Sequence, residues 1–529
     1  MRKTMALCMM GAISSLYAQT DKGTLMGSLE SNNIYYVKDS KLGTGSVNPD
    51  DHFGSNSYLK LDYMRGKFSA GVQLEGFLPA LQGYDYATYG NGKRALLGLK
   101  YVSWQDEDFG FRVGDIFEQY GSGLVFRSYE DRTLGFNNSV EGVQGRYNYK
   151  GYVGISALYG RPRLYLDYAN SSVRGADLNV SLSQIAGWNN LGLSLAGSYV
   201  NRYEDLKDAT DDYGDLVYPG LSTNNLDMYS ARANFDWSGL TAGFEYVGKG
   251  KDLPAVQSRK MLDGKAILGE LGYSYRSFSV LGTFRKLERM ATKLTLDKDV
   301  LGSGNTLNYL PSLTRQYTYM LANLNPYQVN AEGETAGQID VYYSFRNKDD
   351  RYKYWNLHAN FSTAYSDLKV TGESRLLWRD INADVEHQWN KQWKSSFLVS
   401  VQQWNPSHGF DDEIYTSSIF VLDNTYKFDR KKSIRLELQY LCSADYEKDW
   451  MAALLEFNIA PRWSFSVSDM YNHGSSDLHY YNVTASYTRK ATRIQLGYGR
   501  TRAGYVCSGG VCRWTPSYTG ANLTVTSSF

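Results

Sequence analysis

Along the whole chain, apolar and polar side chains alternate with a period of two, in segments of about ten residues broken by short polar turns. In Ser433 to Tyr440, Ile434, Leu436, Leu438 and Tyr440 fall on one face and Arg435, Glu437 and Gln439 on the other. The clearest hairpin places Leu59, Leu61 and Tyr63 before the turn Arg65-Gly66, and Phe68, Ala70, Val72 and Leu74 after it on the same apolar face. Lys60, Asp62, Gln73 and Glu75 point the other way. Tight turns of the same chemistry stand at Lys150-Gly151, Ser238-Gly239, Arg276-Ser277, Asp429 to Lys431, Ala460 to Arg462 and Arg489-Lys490. Less regular ones fall near Asp106, Asn189, Asp349 and Asn390. Together they predict about 11 short turns and about 24 strands, within a range of roughly 20 to 26.

The connections between these hairpins are longer and of uneven length, for example 39 to 53, 79 to 94, 118 to 137, 203 to 225, 289 to 336, 405 to 412 and 501 to 516. A soluble sandwich would bury one face of a period-two strand equally well. Strands of bilayer-crossing length, with short turns at one end and long loops at the other, instead predict an all-β fold: a single large antiparallel transmembrane β-barrel. An even strand number then puts both termini on the short-turn, periplasmic side.

The two ends of the chain sharpen this reading. Arg2 and Lys3 precede an uncharged run from Met5 to Tyr17, then Ala18 and Gln19. That order is a secretory signal peptide over 1–18, leaving a barrel domain over 19–529. Leu16 at the −3 position fits less well than alanine, and Cys8 lies too near Met1 for a lipid-anchored cysteine. No later run of about 18 apolar residues offers a membrane helix. At the other end, Thr519, Gly520, Leu523, Val525 and Phe529 have the polar-Gly-x-x-apolar spacing and terminal aromatic of an outer-membrane insertion signal.

Composition changes the picture little. Against 50 glycines there are 10 prolines, and 45 tyrosines suit two aromatic girdles at the membrane surfaces. The net charge of +1 points neither to nucleic acid nor to an anionic surface as partner. The expected surroundings are outer-membrane lipid, the insertion machinery during biogenesis, and other outer-membrane or periplasmic proteins. No cofactor or metal is expected.

Three features could carry function. Cys507 and Cys512 are separated by four residues, which is not thioredoxin-like, and no second Cys or His pair completes a zinc site. In an oxidising compartment they are expected to form a structural disulfide, with Cys442 left as an unpaired thiol. The segment Tyr120 to Val143 departs from alternation and gathers Arg127, Glu130, Asp131, Arg132 and Glu141. Folded into the lumen, such mixed charges could form a solute-selecting constriction, or a loop that neutralises itself to fill a wide barrel. In Asn305 to Gly337, Pro311 could open a helix that shares Leu313, Tyr317, Met320 and Leu324 on one face, as a lid or a docking helix for another protein or, more simply, as filling inside or on top of the barrel. Catalysis has no local motif: the six histidines are scattered, and G-x-S-x-G, H-E-x-x-H and a phosphate-binding loop are missing.

Three stretches carry a resemblance: C-S-G-G-V-C-R at Cys507 to Arg513 with Pro516, Gly520 and Phe529, G-S-G-L-V-F-R-S-Y-E-D at Gly121 to Asp131, and L-N-Y-L-P-S-L-T at Leu307 to Thr314. Together they resemble a Bacteroidota outer-membrane barrel family of unassigned function. The resemblance spans nearly all of the mature chain and implies a barrel in a Gram-negative outer membrane. It implies no catalytic or binding residue. The functional expectation is a porin-like channel with loops constricting its lumen. The alternative is a non-conducting scaffold or accessory subunit of an outer-membrane assembly, export or uptake complex, and a hydrolase ranks third.

Overall fold

Period-two strands bury their backbone polar groups only by pairing on both sides, and in a bilayer every such group must be paired. The chain meets that demand by closing on itself. In the computed structural model, residues 23–45, 52–84, 94–207, 223–252, 261–296, 304–347, 350, 352–508 and 511–529 are described. Among them, 24 antiparallel strands form one closed barrel, from Thr24–Val37 to Tyr518–Ser528. Each pairs with its neighbours in sequence, and the first strand pairs with both Phe53–Arg65 and the last strand, so the cylinder has no free edge. The signal peptide expected over 1–18 lies outside the described residues.

The turns fall where sequence chemistry puts them. Ser238 and Gly239, at φ 49° and 87°, join Thr223–Trp237 to Leu240–Asp252 in a two-residue turn with both φ values positive, the twist that suits paired strands. A Cβ on Gly239 would lie 2.3 Å from the Ser274 carbonyl oxygen, so both conformation and space demand glycine there. Lys150 and Gly151 repeat the geometry at φ 51° and 74°. The turn expected at Asn189 contains a short helix, Leu182–Ala186. Asp349 itself lies outside the described residues, but the strands beside it, Gly333–Arg346 and Tyr354–Ser366, pair in register. All the short turns stand at one end, together with the start of the first strand and the end of the last.

Alternation now has two addresses. Outward positions such as Val102, Phe111, Phe244, Leu271, Ile339 and Leu496 are exposed large apolar side chains, a lipid-facing belt. Aromatic residues rim it, with Trp237, Tyr273, Trp355 and Trp463 toward the turns and Tyr35, Tyr159, Tyr199, Tyr229 and Tyr498 toward the loops. No helix among the described residues is long and apolar enough to cross a membrane.

The interior is packed by loops rather than by wall side chains alone. One cluster joins wall residues Tyr58, Leu226, Met228, Val247 and Leu287 to loop residues Leu124, Val125, Phe126, Met290, Leu294 and Leu307. A second joins Leu398, Ile419, Val421, Leu441 and Trp450 on the wall to Leu321, Ala322 and Leu324. A third brings Leu313 and Tyr327 against Ala336, Ala364, Leu377 and Trp378. The helix expected from Pro311 to Leu324 does not form. Helical structure there is one short 3-10 turn, Leu321–Asn323, and Leu313 packs in a different cluster from Leu321 and Leu324. The segment runs along the wall, and each apolar side chain finds a separate hole.

Candidate functional site: a loop-packed lumen

The lumen is shaped first by the connection between Phe109–Ile116 and Val140–Tyr149. Its G-S-G run takes positive φ at Gly121 (58°) and Gly123 (94°), which L-residues adopt rarely, and turns the chain inward. Leu124, Val125 and Phe126 behind it are at most 1% exposed. The loop then zips onto the long connection that precedes Gly333–Arg346. Arg127 N donates to Leu307 O at 3.1 Å and Tyr309 N donates to Gly123 O at 2.9 Å. Asn308 Nδ2 adds bonds to Leu124 O and Met290 O at 3.2 and 2.8 Å.

The charged residues singled out in this loop separate into distinct roles. Arg132 reaches the wall, with Nη1 2.9 Å from Glu30 and Nη2 donating to Gln73 at 2.9 Å, its guanidinium 4.6 Å from the Tyr58 ring centre. Glu130 joins that network, accepting from Gln73 Nε2 at 2.7 Å and standing 3.4 Å from Arg132 Nε. Arg127 is held between rings, 4.2 Å from Tyr129 and 4.0 Å from Tyr309. Asp131 accepts from the amides of Thr133 and Leu134, fixing its own turn. Glu141 is apart from the others: it sits on the strand Val140–Tyr149 and pairs with Lys100 at 2.6 Å and Arg161 at 3.4 Å.

Buried wall charges hold the second loop, 289–332. Arg202 and Asp252 pair at 2.8 Å with side chains 0% and 1% exposed, and Lys249 Nζ donates to Arg289 O at 3.0 Å. Arg285 and Glu334 pair at 2.7 Å, both 0% exposed. Glu334 also accepts from Asn330 N at 2.9 Å and from Tyr327 Oη, while Arg285 donates to the Pro311 carbonyl. This one pair therefore ties down both ends of the segment 311–330. A third pair, Arg163 with Glu75 at 2.6 Å, closes the side nearer the first strands.

Between its ends the segment is fastened to the strands that follow along the wall, from Leu376–Gln388 onward. Arg315 Nη1 donates to Asn382 at 3.0 Å and pairs with Asp384, which lies 2.9 Å from His358 Nδ1; His358 Nε2 lies 3.1 Å from Asp340. Tyr317 Oη donates to Asp380 at 2.6 Å. Leu321 N donates to Gln439 at 2.9 Å, Gln402 donates to Ala322 O at 3.0 Å, and Arg502 Nη1 reaches Leu324 O at 3.5 Å. Burial, and then the Asp423 carboxylate, push the Tyr319 hydroxyl up to about 12, so it stays neutral at ordinary pH. Loop contacts thus run unbroken from Glu30 and Gln73, on the first and third strands, across to Asp384 on Leu376–Gln388, and on past Gln439 to Arg502, which returns beside the last strand.

Sequence reading missed these wall charges because their partners lie far apart in the chain. One signal was available. Arg202, Glu204, Arg285 and Glu334 occupy the face turned away from lipid, at the loop ends of strands, where only a second layer of protein could bury them.

The remaining candidates sit at the rim and the seam. Cys507 and Cys512 form a disulfide across the hairpin Gly504–Ser508 and Val511–Thr515. Arg513 clips this hairpin to the neighbouring loops, donating to Gly83 O at 2.9 Å and Thr133 O at 3.2 Å over the Tyr84 ring. Cys442 is a free, exposed thiol. On the last strand, Leu523 and Val525 face outward, Thr519 Oγ1 donates to Asp39 at 2.6 Å, and Gly520 lets the Tyr35 backbone approach closely. Phe529 exchanges backbone bonds with Gly27 at 2.8 and 2.9 Å and lays its ring where a Cβ on Gly27 would stand. No cluster of metal-ligating side chains occurs among the described residues.

A protein-family profile described as a family of unknown function (DUF6029) matches residues 1–529. No curated protein matches the sequence. Similar solved structures include the P pilus usher PapC translocation pore, with 9% identity, TM-score 0.46 and coverage of 96% of this chain and 99% of that one. The siderophore receptor PirA from Pseudomonas aeruginosa aligns at 9% identity and TM-score 0.42, covering 97% and 81%. OccK5 (OpdH) from the same organism aligns at 12% identity and TM-score 0.38, covering 80% and 98%. At these values nothing of those proteins' activities passes to this chain.

Proposed function

For a chain that belongs to the DUF6029 family of unknown function, we propose an outer-membrane channel held shut by its own loops, with both termini in the periplasm and the long loops outside the cell. The observation that carries this reading is the unbroken bridge of loop contacts across the lumen, from Arg132 on Glu30 to Arg315 beside Asn382 and Leu321 on Gln439. Nearer the turns, inward positions are polar and open to solvent, including Arg146, Asn179, Thr241 and Glu270. A wall built only to support a plug has no need of polar, solvent-facing positions beneath it; a solute path does. In this reading residues 1–18 are removed on export, and the Thr519 to Phe529 strand addresses the chain to the insertion machinery.

A second reading, a non-conducting scaffold in an outer-membrane complex, is favoured by the full burial of Arg202–Asp252 and Arg285–Glu334, which lock the ends of the plug. Planar-bilayer recording separates the two. Deleting 120–137 would also remove Leu124 to Phe126 from the packed cluster, so the cleaner variant is R315A/Y317F, which removes the second loop's contacts with Asp380, Asn382 and Asp384 and keeps its other anchors. Quiet wild-type protein with stepwise conductance in the variant supports the channel. Silence in both, with a protein that co-purifies in mild detergent, supports the scaffold.

A further inference from the structure

The most exposed large apolar side chains of the described residues are not in the lipid belt. Phe410 is 83% exposed and Tyr446 69%, and both stand on loops at the rim; Leu368, at 60%, stands on a third. The three loops, 367–375, 405–414 and 444–449, are consecutive around the barrel. Arg375 joins the first two, with Nη1 donating to Gly409 O and Phe410 O at 3.1 and 2.9 Å and Nε to Asp412 at 2.8 Å.

Each apolar tip is held out by a braced turn. Asn405 Oδ1 accepts from the Ser407 and Gly409 amides at 2.9 Å each, and His408 and Gly409 take φ 54° and 91°, which throws Phe410 outward. Asp445 accepts from the Glu447 and Lys448 amides at 2.9 and 2.8 Å, and Arg502 holds Glu447 at 2.6 Å, leaving Tyr446 at the apex. Asp367 caps the helix Leu368–Thr371 through the Lys369 amide. Rigid display of an apolar side chain in water gains nothing for folding. It removes the ordering cost of binding something else.

The charge around these tips is one-sided. The three loops hold eight carboxylates, at Asp367, Glu373, Asp411, Asp412, Glu413, Asp445, Glu447 and Asp449, against Lys369, Arg375 and Lys448, with Lys286 paired to Asp367 and Arg502 to Glu447 from neighbouring elements. Glu373, Asp411, Asp412 and Glu413 are exposed. An anionic saccharide or lipid headgroup would be repelled here.

We propose that this arc is a docking surface for a protein segment that carries lysine or arginine between large apolar side chains, the apolar groups seating on Phe410, Tyr446 and Leu368 and the cations on the carboxylates. The full-length barrel in neutral detergent would be titrated into a short labelled peptide of alternating lysine and leucine, with a copy bearing glutamate for lysine as control, and anisotropy read. Binding of the basic peptide alone is expected, weakened about tenfold by F410A/Y446A and by D411N/D412N/E413Q. Those side chains are solvent-exposed, so both variants should keep the wild-type heat-modifiable gel mobility. The proposal is overturned if the basic peptide fails to bind, if it binds both variants like the wild type, or if the acidic copy binds equally. It is also overturned if light scattering shows the wild type dimerising through this arc, which would make a second copy of the chain the occupant.

Discussion

Arg285 shows what a single residue does in this barrel. Its guanidinium is fully buried, paired with an equally buried Glu334, and reaches the carbonyl of Pro311. Removing two charges from water is costly, and their attraction offsets that cost only when geometry and further hydrogen bonds are good. Here Glu334 also accepts from Tyr327 and Asn330, so the carboxylate is well served, while the guanidinium uses both Nη atoms and leaves Nε buried without a partner. R285A would leave Glu334 buried without its cation, and a loss of about 3–5 kcal/mol is expected in reversible denaturant unfolding. R285M/E334Q, which removes both charges and keeps volume, is expected to lose much less. If the double variant proved as unstable as R285A, the pair's charge would not be the reason for its cost.

At the scale of elements, the turns were legible and the plug was not. Turn chemistry is local: two left-handed residues at Ser238-Gly239, or a carboxylate two residues before a pair of amides at Asp429, can be read from a few letters. G239A is therefore expected to destabilise the hairpin by about 1–3 kcal/mol, through φ 87° and the Ser274 carbonyl, measured by the same unfolding assay. At Asp429, hydrogen bonds from the Lys431 and Lys432 amides hold the carboxyl below the usual carboxylate range. A depressed folded value means that its stabilisation is present above the ordinary carboxylate value and is lost as pH falls through the lowered one. Amide exchange at Lys431 and Lys432 should accelerate across that acidic window in the wild type and show no such step in D429A. The 311–324 segment was misread for the opposite reason. Leu313, Tyr317, Met320 and Leu324 have helical spacing, but what fixes their conformation is non-local: Asp380, Asp384, Gln402 and Gln439 lie about 60 to 120 residues away and bind the backbone and side chains of an irregular chain. The five charges grouped at 127–141 were likewise near in sequence, yet Glu141 belongs to the wall and only Glu130 and Arg132 share a network. The Cys507–Cys512 bond, by contrast, spans one hairpin and was legible for that reason.

For the whole molecule, the period-two pattern specifies a wall, and the wall sets the problem that the loops solve. A barrel of 24 strands encloses more space than its own inward side chains fill, so the chain must leave it wet or bring in other segments. It does both: apolar clusters and buried ion pairs fill the loop end, and polar side chains line the turn end. That division requires every strand to keep one face for lipid and the other for protein or water, with no tolerance for exchange. Ile339, outward and 50% exposed at the middle of the belt, and Gln338, the next residue on the inner face, put the requirement to the test at adjacent positions. I339R should cost about 2–4 kcal/mol when unfolding is followed in lipid vesicles, because the charge is left in hydrocarbon. Q338R should cost close to nothing, since a charge there meets water or the carboxylates of the inner wall. Equal costs at the two positions would mean that the apolar face of these strands is not turned to lipid, and the membrane assignment of the barrel would fall with it.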